Sequence, residues 1–291
     1  MAIIEVLIAY PGLLIGFALI LGLLVGSFLN VVIYRLPVMM EREWQQQCQE
    51  LLAEQQGSEP QSESVFNLAI PRSSCPKCGH QITALENIPV LSYLWLKGRC
   101  SGCQTPISAR YPLVELATGL ISALIAYQFG ATELLAPLLL MSWVLIALTM
   151  IDFDHQLLPD SLTLPLLWLG LIVNAFGLIT DLHSALWGAV AGYLSLWSIY
   201  WAFKLLTGKE GMGYGDFKLL AALGAWMGWQ MLPLIVVLSS LVGAIIGITL
   251  TIVKGRDHQQ PMPFGPFLAI AGGIALLWGP LLVSQYLQML G

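Results

Sequence analysis

Charge is what this chain has least of: only 10% of its 291 residues are Asp, Glu, Lys or Arg, against 57% hydrophobic residues and a mean hydropathy of +0.77. A soluble globular domain or a disordered chain needs far more polar surface than that, so both classes are excluded and a polytopic membrane protein is expected. Residues Met1 to Tyr10 carry no basic residue and include Glu5, so a cleavable signal peptide is not expected and the first hydrophobic segment should remain in the protein. Neither Gly-x-Ser-x-Gly nor His-Glu-x-x-His occurs, which removes the serine nucleophile elbow and the helical zinc-protease motif. The net charge of −5, with no basic patch interleaved with aromatics, gives no sign of nucleic-acid binding.

Hydrophobic runs fill the rest of the sequence. Eight are read as helices meant to cross a hydrocarbon core of roughly 30 Å, at 12–34, 113–129, 132–151, 161–179, 182–205, 217–229, 231–253 and 265–288. The first holds Gly16, Gly22, Gly26, Ser27 and Asn30, and the short sixth holds Ala221, Ala222, Gly224 and Ala225. Both sets of small residues suit helices packed against other helices rather than against lipid.

With eight crossings, the segments 35–112, 152–160, 206–216 and 254–264 share one side. The turns near 130, 180 and 230 and both termini share the other. Every Lys and Arg, from Arg35 to Arg256, lies in the first set or at its margins, and the positive-inside rule makes that set cytoplasmic.

The largest cytoplasmic segment divides by composition. Residues 41–64 are rich in Glu and Gln and end in Gly57-Ser58-Glu59-Pro60, which predicts a solvated helix followed by a linker with no core of its own. The second half holds Cys75-Pro-Lys-Cys78 and Cys100-Ser-Gly-Cys103, separated by 21 residues. Two such knuckles can wrap one tetrahedral ion, most plausibly Zn2+. Four thiolates leave no open coordination position, so the metal would be structural. Two disulfides are the alternative, disfavoured in a reducing cytoplasm. Cys48 stands apart and is expected to be a free thiol. Val90 to Leu96 is apolar but too short to span, and is expected to rest on the bilayer or the bundle.

Two carboxylates stand where hydrophobic runs meet cytoplasmic loops: Asp152, continuing the third run, and Asp216, in Gly213-Tyr214-Gly215-Asp216 at the head of the sixth. Ionisable groups at a membrane edge are costly and mark function by default. Asp160, after Pro159, reads as a helix N-cap; Asp154 and His155 read as solvated. Gly213 and Gly215 allow an irregular backbone that another chain could approach closely, although a plain turn with an N-cap would explain the same residues. Two nearby carboxyls in a partly dry site cannot both ionise easily. They share a proton, so the charged one can activate a water while the neutral one polarises a carbonyl.

Taken together, Gly26 to Pro37, the four-cysteine loop with Glu86-Asn87-Ile88-Pro89, Arg110 to Glu115, the Asp152 to Asp160 loop and Gly213 to Asp216 resemble the bacterial type IV prepilin peptidases over nearly the whole length. That resemblance implies an aspartic endopeptidase of the bacterial inner membrane with catalytic Asp152 and Asp216. Its substrates would be prepilins and pseudopilins, cut on the cytoplasmic side behind a short basic leader and then N-methylated with S-adenosylmethionine. It ties methylation to the cysteine loop, and so to Gly98 and, less directly, Arg99, with Glu86, Gly213 and Gly215 as further substrate or cofactor candidates. No βαβ unit with a glycine-rich nucleotide loop supports that cofactor independently. The expected organisation is a first transmembrane helix at 1–34, a cytoplasmic four-cysteine domain at 35–112 and a seven-helix protease domain at 113–291. A proton-coupled transporter and a zinc-ribbon adaptor are the other classes weighed. The first lacks internal repeats and broken midplane helices, and the second leaves the aspartate pair unexplained.

Overall fold

The structure, a computed structural model, describes residues 2–56, 65–254 and 263–290. It is all α apart from two isolated β-bridges among those residues. The helices are α1 (Ala2–Ala9), α2 (Pro11–Gln56), α3 (Leu91–Trp95), α4 (Arg110–Phe129), α5 (Leu135–His155), α6 (Asp160–Ala175), α7 (Leu182–Thr207), α8 (Tyr214–Met227), α9 (Leu232–Lys254) and α10 (Gly265–Leu290). The expected linker at 57–64 and the basic Arg256 lie outside the described residues.

Every predicted hydrophobic run is helical over most of its length, but six helices among the described residues are both long and apolar enough to cross a bilayer: α2, α4, α5, α7, α9 and α10. At 1.5 Å per residue, α6 with 16 residues and α8 with 14 reach only about 24 and 21 Å. The run read as 161–179 includes chain that has already left the helix after Ala175. The run read to 229 is stopped at Met227 by Gly228, whose φ is +81°. In the other direction, α2 continues unbroken through Pro37 for 46 residues, so the first hydrophobic run and the Glu/Gln-rich stretch as far as Gln56 are one helix.

The chain forms two compact units, 1–127 and 128–291. In the first, α2 and α4 meet through small residues. A Cβ at Gly26 would lie 2.7 Å from Glu115 Cα, and one at Gly119 would lie 2.9 Å from Leu23 Cγ. Polar groups seal the junction between these helices and the loop. Glu115 Oε2 accepts from Val90 N–H at 2.7 Å, Ser27 Oγ donates to Asn87 at 3.3 Å, and Asn30 Nδ2 donates to Tyr111 O at 3.1 Å. Val90 has φ +60°, uncommon for a β-branched residue, and the Glu115 bond helps to hold it there. Arg35 is buried and donates to the carbonyls of Asn67 (2.9 Å) and Pro71 (2.7 Å), with Phe66 against its guanidinium. Leu91, Leu94 and Trp95 on α3 are exposed, as an apolar segment lying on a surface would leave them.

In the second unit α8 is central. Every residue from Asp216 to Met227 except Lys218 is buried, and α6, α7, α9 and α10 all pack on it. Glycine makes that possible on the α7 side, where a Cβ at Gly192 would lie 2.7 Å from Leu220 O. On the α6 side Trp226 Nε1 donates to Leu166 O at 2.9 Å over Gly170. Asn174 closes the far end. Its Nδ2 donates to Ala225 O and Trp226 O, both at 2.8 Å, and its Oδ1 accepts from Ile179 N–H (3.2 Å) and Thr180 N–H (3.0 Å). Asn174→Leu would orphan all four partners in the interior, so a loss of about 2 to 5 kcal/mol is expected. A lowered unfolding midpoint in detergent would register it, and an unchanged midpoint would contradict the bonding seen here.

Candidate active site and candidate metal centre

Asp152 lies in the last turn of α5 and Asp216 in the first turn of α8, and both are buried, at 5% and 6% exposure. The segments that carry them touch. A Cβ at Gly215 would fall 2.7 Å from Leu158 Cβ, while Leu158 also lines Gly265 at the head of α10. Gly265 N–H donates to Asp152 Oδ2 at 3.0 Å. Asp216 Oδ1 is buried with no hydrogen-bond partner. Two acidic groups, distant in sequence, are therefore buried in the one neighbourhood around Leu158 and Gly265, with one carboxyl oxygen of Asp216 unsatisfied.

The glycines act differently from the sequence expectation. Neither Gly213 nor Gly215 has a positive φ; Gly213 is the N-cap residue and Gly215 is already helical. The close neighbour at Gly215 is Leu158 of the same chain. Asp216 is not a capping side chain, and Asp160 is not an N-cap either: Pro159 holds that position. Asp160 instead opens α6 and accepts from Lys218 Nζ at 2.7 Å on both oxygens, tying the first turns of α6 and α8 together. Asp154 and His155 are exposed, as expected.

An aromatic wall that the sequence reading missed supports the head of α8. Tyr200, at 3% exposure, packs on Tyr214 (centroids 5.3 Å) and Phe217 (5.7 Å), and Lys204 Nζ donates to its hydroxyl at 3.1 Å and to Glu210 at 2.8 Å. Gly265 was also missed. The available signal was Pro263-Phe264-Gly265-Pro266, a proline-bracketed glycine opening a hydrophobic helix on the same side as the aspartates.

In the first unit the sulfurs of Cys75, Cys78, Cys100 and Cys103 lie within 4.8 Å of one another, and none is in a disulfide. Two of the edges are 3.7 Å (Cys75 to Cys103) and 3.9 Å (Cys78 to Cys100). A tetrahedron of Zn–S bonds of about 2.3 Å has edges of about 3.8 Å, so the cage fits zinc. The two knuckles repeat one another. Cys75 N–H donates to His80 O and Cys100 N–H to Thr105 O, both at 2.9 Å, and Gly79 and Gln104 take the matching left-handed position at φ +73° and +58°.

Glu86 braces this cage. It accepts from Ser101 Oγ, from Thr83 N–H and Oγ1 at 2.8 Å, and faces His80 Nε2 at 3.1 Å. The Ser101 and Thr83 bonds hold its carboxyl down at about 2. Its contribution to loop stability is therefore complete above the ordinary value of 4.5 and is lost only as pH falls toward about 2. Gly98 is buried with φ +65°, its N–H donating to Tyr93 O at 2.8 Å and its carbonyl accepting from Ile107 N–H at 2.7 Å, and a Cβ there would strike the Tyr93 ring. Arg99 is exposed beside it. Glu86 and Gly98 are thus engaged within the loop itself.

Comparison with known proteins follows the same division. Residues 20–129 match the model of the bacterial peptidase A24 N-terminal domain, and residues 139–248 match that of the type IV leader peptidase family. The chain is 59% identical over 285 residues to a prepilin leader peptidase/N-methyltransferase of Stutzerimonas stutzeri, covering 98% of each. It is 56% identical over 292 residues to the protein so named from Pseudomonas aeruginosa, covering 100% of this chain and 99% of that one. A third, from Aeromonas hydrophila, is 57% identical over 285 residues with 98% of each covered. No solved structure matches.

Proposed function

The chain belongs to the type IV leader peptidase family, and from that premise we propose that it removes the leader from prepilins and pseudopilins and methylates the new N-terminus. The observation that carries the peptidase half is the buried pair Asp152 and Asp216 on touching segments, with one carboxyl oxygen unpartnered. A water held between one ionised and one protonated carboxyl gives its proton to the first as its oxygen attacks the scissile carbonyl, and the second donates its proton to the carbonyl oxygen. As the tetrahedral diol collapses, the first carboxyl passes its proton to the leaving amine nitrogen and the second carboxylate takes one back from a diol hydroxyl, which restores the starting pair. Gly215 sets the approach of α8 to the Leu158 loop, and through it the separation of the pair, while Gly213 leaves open space at the exposed head of α8 beside Asp216.

The same reading makes α6 and α8 short crossings within the bundle, giving eight passes, both termini on the periplasmic side of the inner membrane and the aspartates on the cytoplasmic side. Its support is the partition of the basic residues and the burial of α8 from Asp216 to Met227, Lys218 excepted, which frees it from matching lipid thickness. The protease machinery lies within 113–291 and the cytoplasmic cysteine domain within 35–112. Methyl transfer from S-adenosylmethionine rests on the family; Gly98, Arg99 and Glu86 serve it by shaping the cysteine loop.

Purified protein in detergent, given a prepilin and S-adenosylmethionine, should yield the shortened chain and then its methylated form. Mass spectrometry reads both products, and intact prepilin after prolonged incubation would sink the proposal.

Zinc held by Cys75, Cys78, Cys100 and Cys103 would act structurally, stapling a loop too small to bury a core of its own. Cys75→Ser should lower bound metal from about one equivalent to near zero and make the loop protease-sensitive, while leader cleavage by the second unit persists. Unchanged metal content would show that the cysteines are not its ligands.

A further inference from the structure

One helix end in the second unit serves the aspartate pair in a way the peptidase reading does not require. Phe264 is the N-cap residue of α10, its carbonyl accepting from Leu268 N–H at 3.2 Å, so Gly265 is the first helical residue. Its N–H is one of the donors that a helix start leaves without an internal acceptor, and Pro266 after it has none to give. The Gly265 N–H goes to Asp152 Oδ2 at 3.0 Å in a buried setting. A Cβ at this position would lie 2.6 Å from that same oxygen, so any residue larger than glycine must displace the carboxylate.

We propose that Gly265 is a positioning residue that fixes the ionised carboxylate at Asp152, leaving Asp216 to carry the proton. The inference rests on the aspartate-pair reading and adds the division of labour within it. Helix-end fields alone do not separate the two residues. Asp152 sits at the unfavourable end of α5 but faces the favourable end of α10, and Asp216 lies in the first turn of α8. The hydrogen bonding separates them: Gly265 N–H serves the Asp152 carboxylate in the interior, whereas the backbone donor beside Asp216, at Gly213, leaves its Oδ1 bare, and a hydrogen bond to a charged acceptor outweighs an end-of-helix field. Asp216 receives no such donor at Oδ1, and an ionised oxygen left bare in the interior is the costlier arrangement. A protonated Oδ1 without an acceptor is, by contrast, a donor left free for a substrate carbonyl.

Other charges nearby do not reverse this assignment. On α6 the one ionisable residue is Asp160, paired with Lys218 of α8; α10 has no Asp, Glu, Lys, Arg or His; on α5, Asp154 and His155 are exposed past the site; and on α7, Lys204 is held by Tyr200 and Glu210.

Gly265→Ala should lower kcat for prepilin cleavage by about a hundredfold, the scale expected when a reacting group is moved by roughly an ångström, with little change in KM. Methylation of precut substrate should be unaffected. Gly273→Ala, on the same helix in open space, should retain full cleavage. Infrared difference spectra near neutral pH should show a protonated-carboxyl C=O band that Asp216→Asn removes and Asp152→Asn leaves. A wild-type kcat in Gly265→Ala, or a band that depends on Asp152 instead, would overturn the assignment. The infrared comparison needs only the aspartate variants, so it decides the matter even if Gly265→Ala does not fold. Normal cleavage by both aspartate variants would bring down the peptidase reading itself. Dead aspartate variants with a fully active Gly265→Ala would bring down this inference alone.

Discussion

Asparagine at either Asp152 or Asp216 should lower prepilin cleavage by a factor on the order of 10,000, while the protein still folds and still methylates a substrate supplied already cut. The magnitude follows from the chemistry. Each carboxyl has to hold or release a proton in the transition state, and losing a general acid or base costs up to about ten-thousandfold, with little left when the two act as a unit. Asparagine keeps the shape of aspartate but cannot exchange that proton. Stability should not fall: both groups are nearly fully buried, at position 152 a neutral amide replaces a buried charge, and at position 216 it replaces an acid that is already uncharged. At position 152 the amide oxygen can still accept from Gly265 N–H, so the head of α10 stays docked. Single-turnover cleavage followed by mass spectrometry, with thermal unfolding in the same detergent, measures both halves. Robust cleavage by either variant would remove that aspartate from the chemistry. Loss of fold in both would mean the pair is structural.

Much of this site is legible in the sequence because membrane proteins make polar residues expensive. A charge-poor chain leaves few places for acid chemistry, and Asp152 and Asp216 stand out at the ends of apolar runs for that reason. The cysteine cage is equally legible: two knuckles 21 residues apart have few other physical uses, and the sulfur spacing fits one ion. What the sequence conceals is contact between distant segments. Asp160 after a proline has the local signature of a cap, and only the fold brings Lys218 to it. Gly265 carries no chemistry of its own, so its N–H matters only once α10 meets α5. Hydropathy also overstates length, because a run stays apolar past the point where Gly228 or the turn after Ala175 has ended the helix; this is why eight apolar runs contain six helices of spanning length.

The second large effect is expected far from any reacting group, at Gly188. This residue and Gly224 face each other across α7 and α8 so closely that a Cβ on either would collide with the carbonyl oxygen of the other, and a Cβ on Gly188 would lie 2.8 Å from the Gly224 carbonyl carbon. The obstructing atoms are main chain on both sides, so no side-chain rotation relieves the clash. The helices themselves must separate. Four residues along α7, Gly192 makes the matching approach to Leu220 O, completing a small-xxx-small face of the kind that lets helices pack without a hydrophobic drive from water. Gly188→Ala should therefore cost about 3 kcal/mol or more, the upper range for overpacking. Gly188→Leu should prevent α8 from seating at all. Cleavage should fall with it, since α8 carries Asp216 and a shift of an ångström there is enough to separate the pair. Gly16→Ala on α2, where a Cβ meets nothing within 4 Å, is the contrasting case. There the change should be neutral or stabilising by about 0.5 to 1 kcal/mol, because alanine loses less entropy than glycine on entering a helix. Unfolding midpoints and cleavage rates for the two alanine variants should diverge sharply. Equal behaviour would mean that the α7–α8 contact can relax by a route the packing does not suggest, and that Asp216 is held mainly by Lys218, the Tyr200 wall and the Leu158 loop.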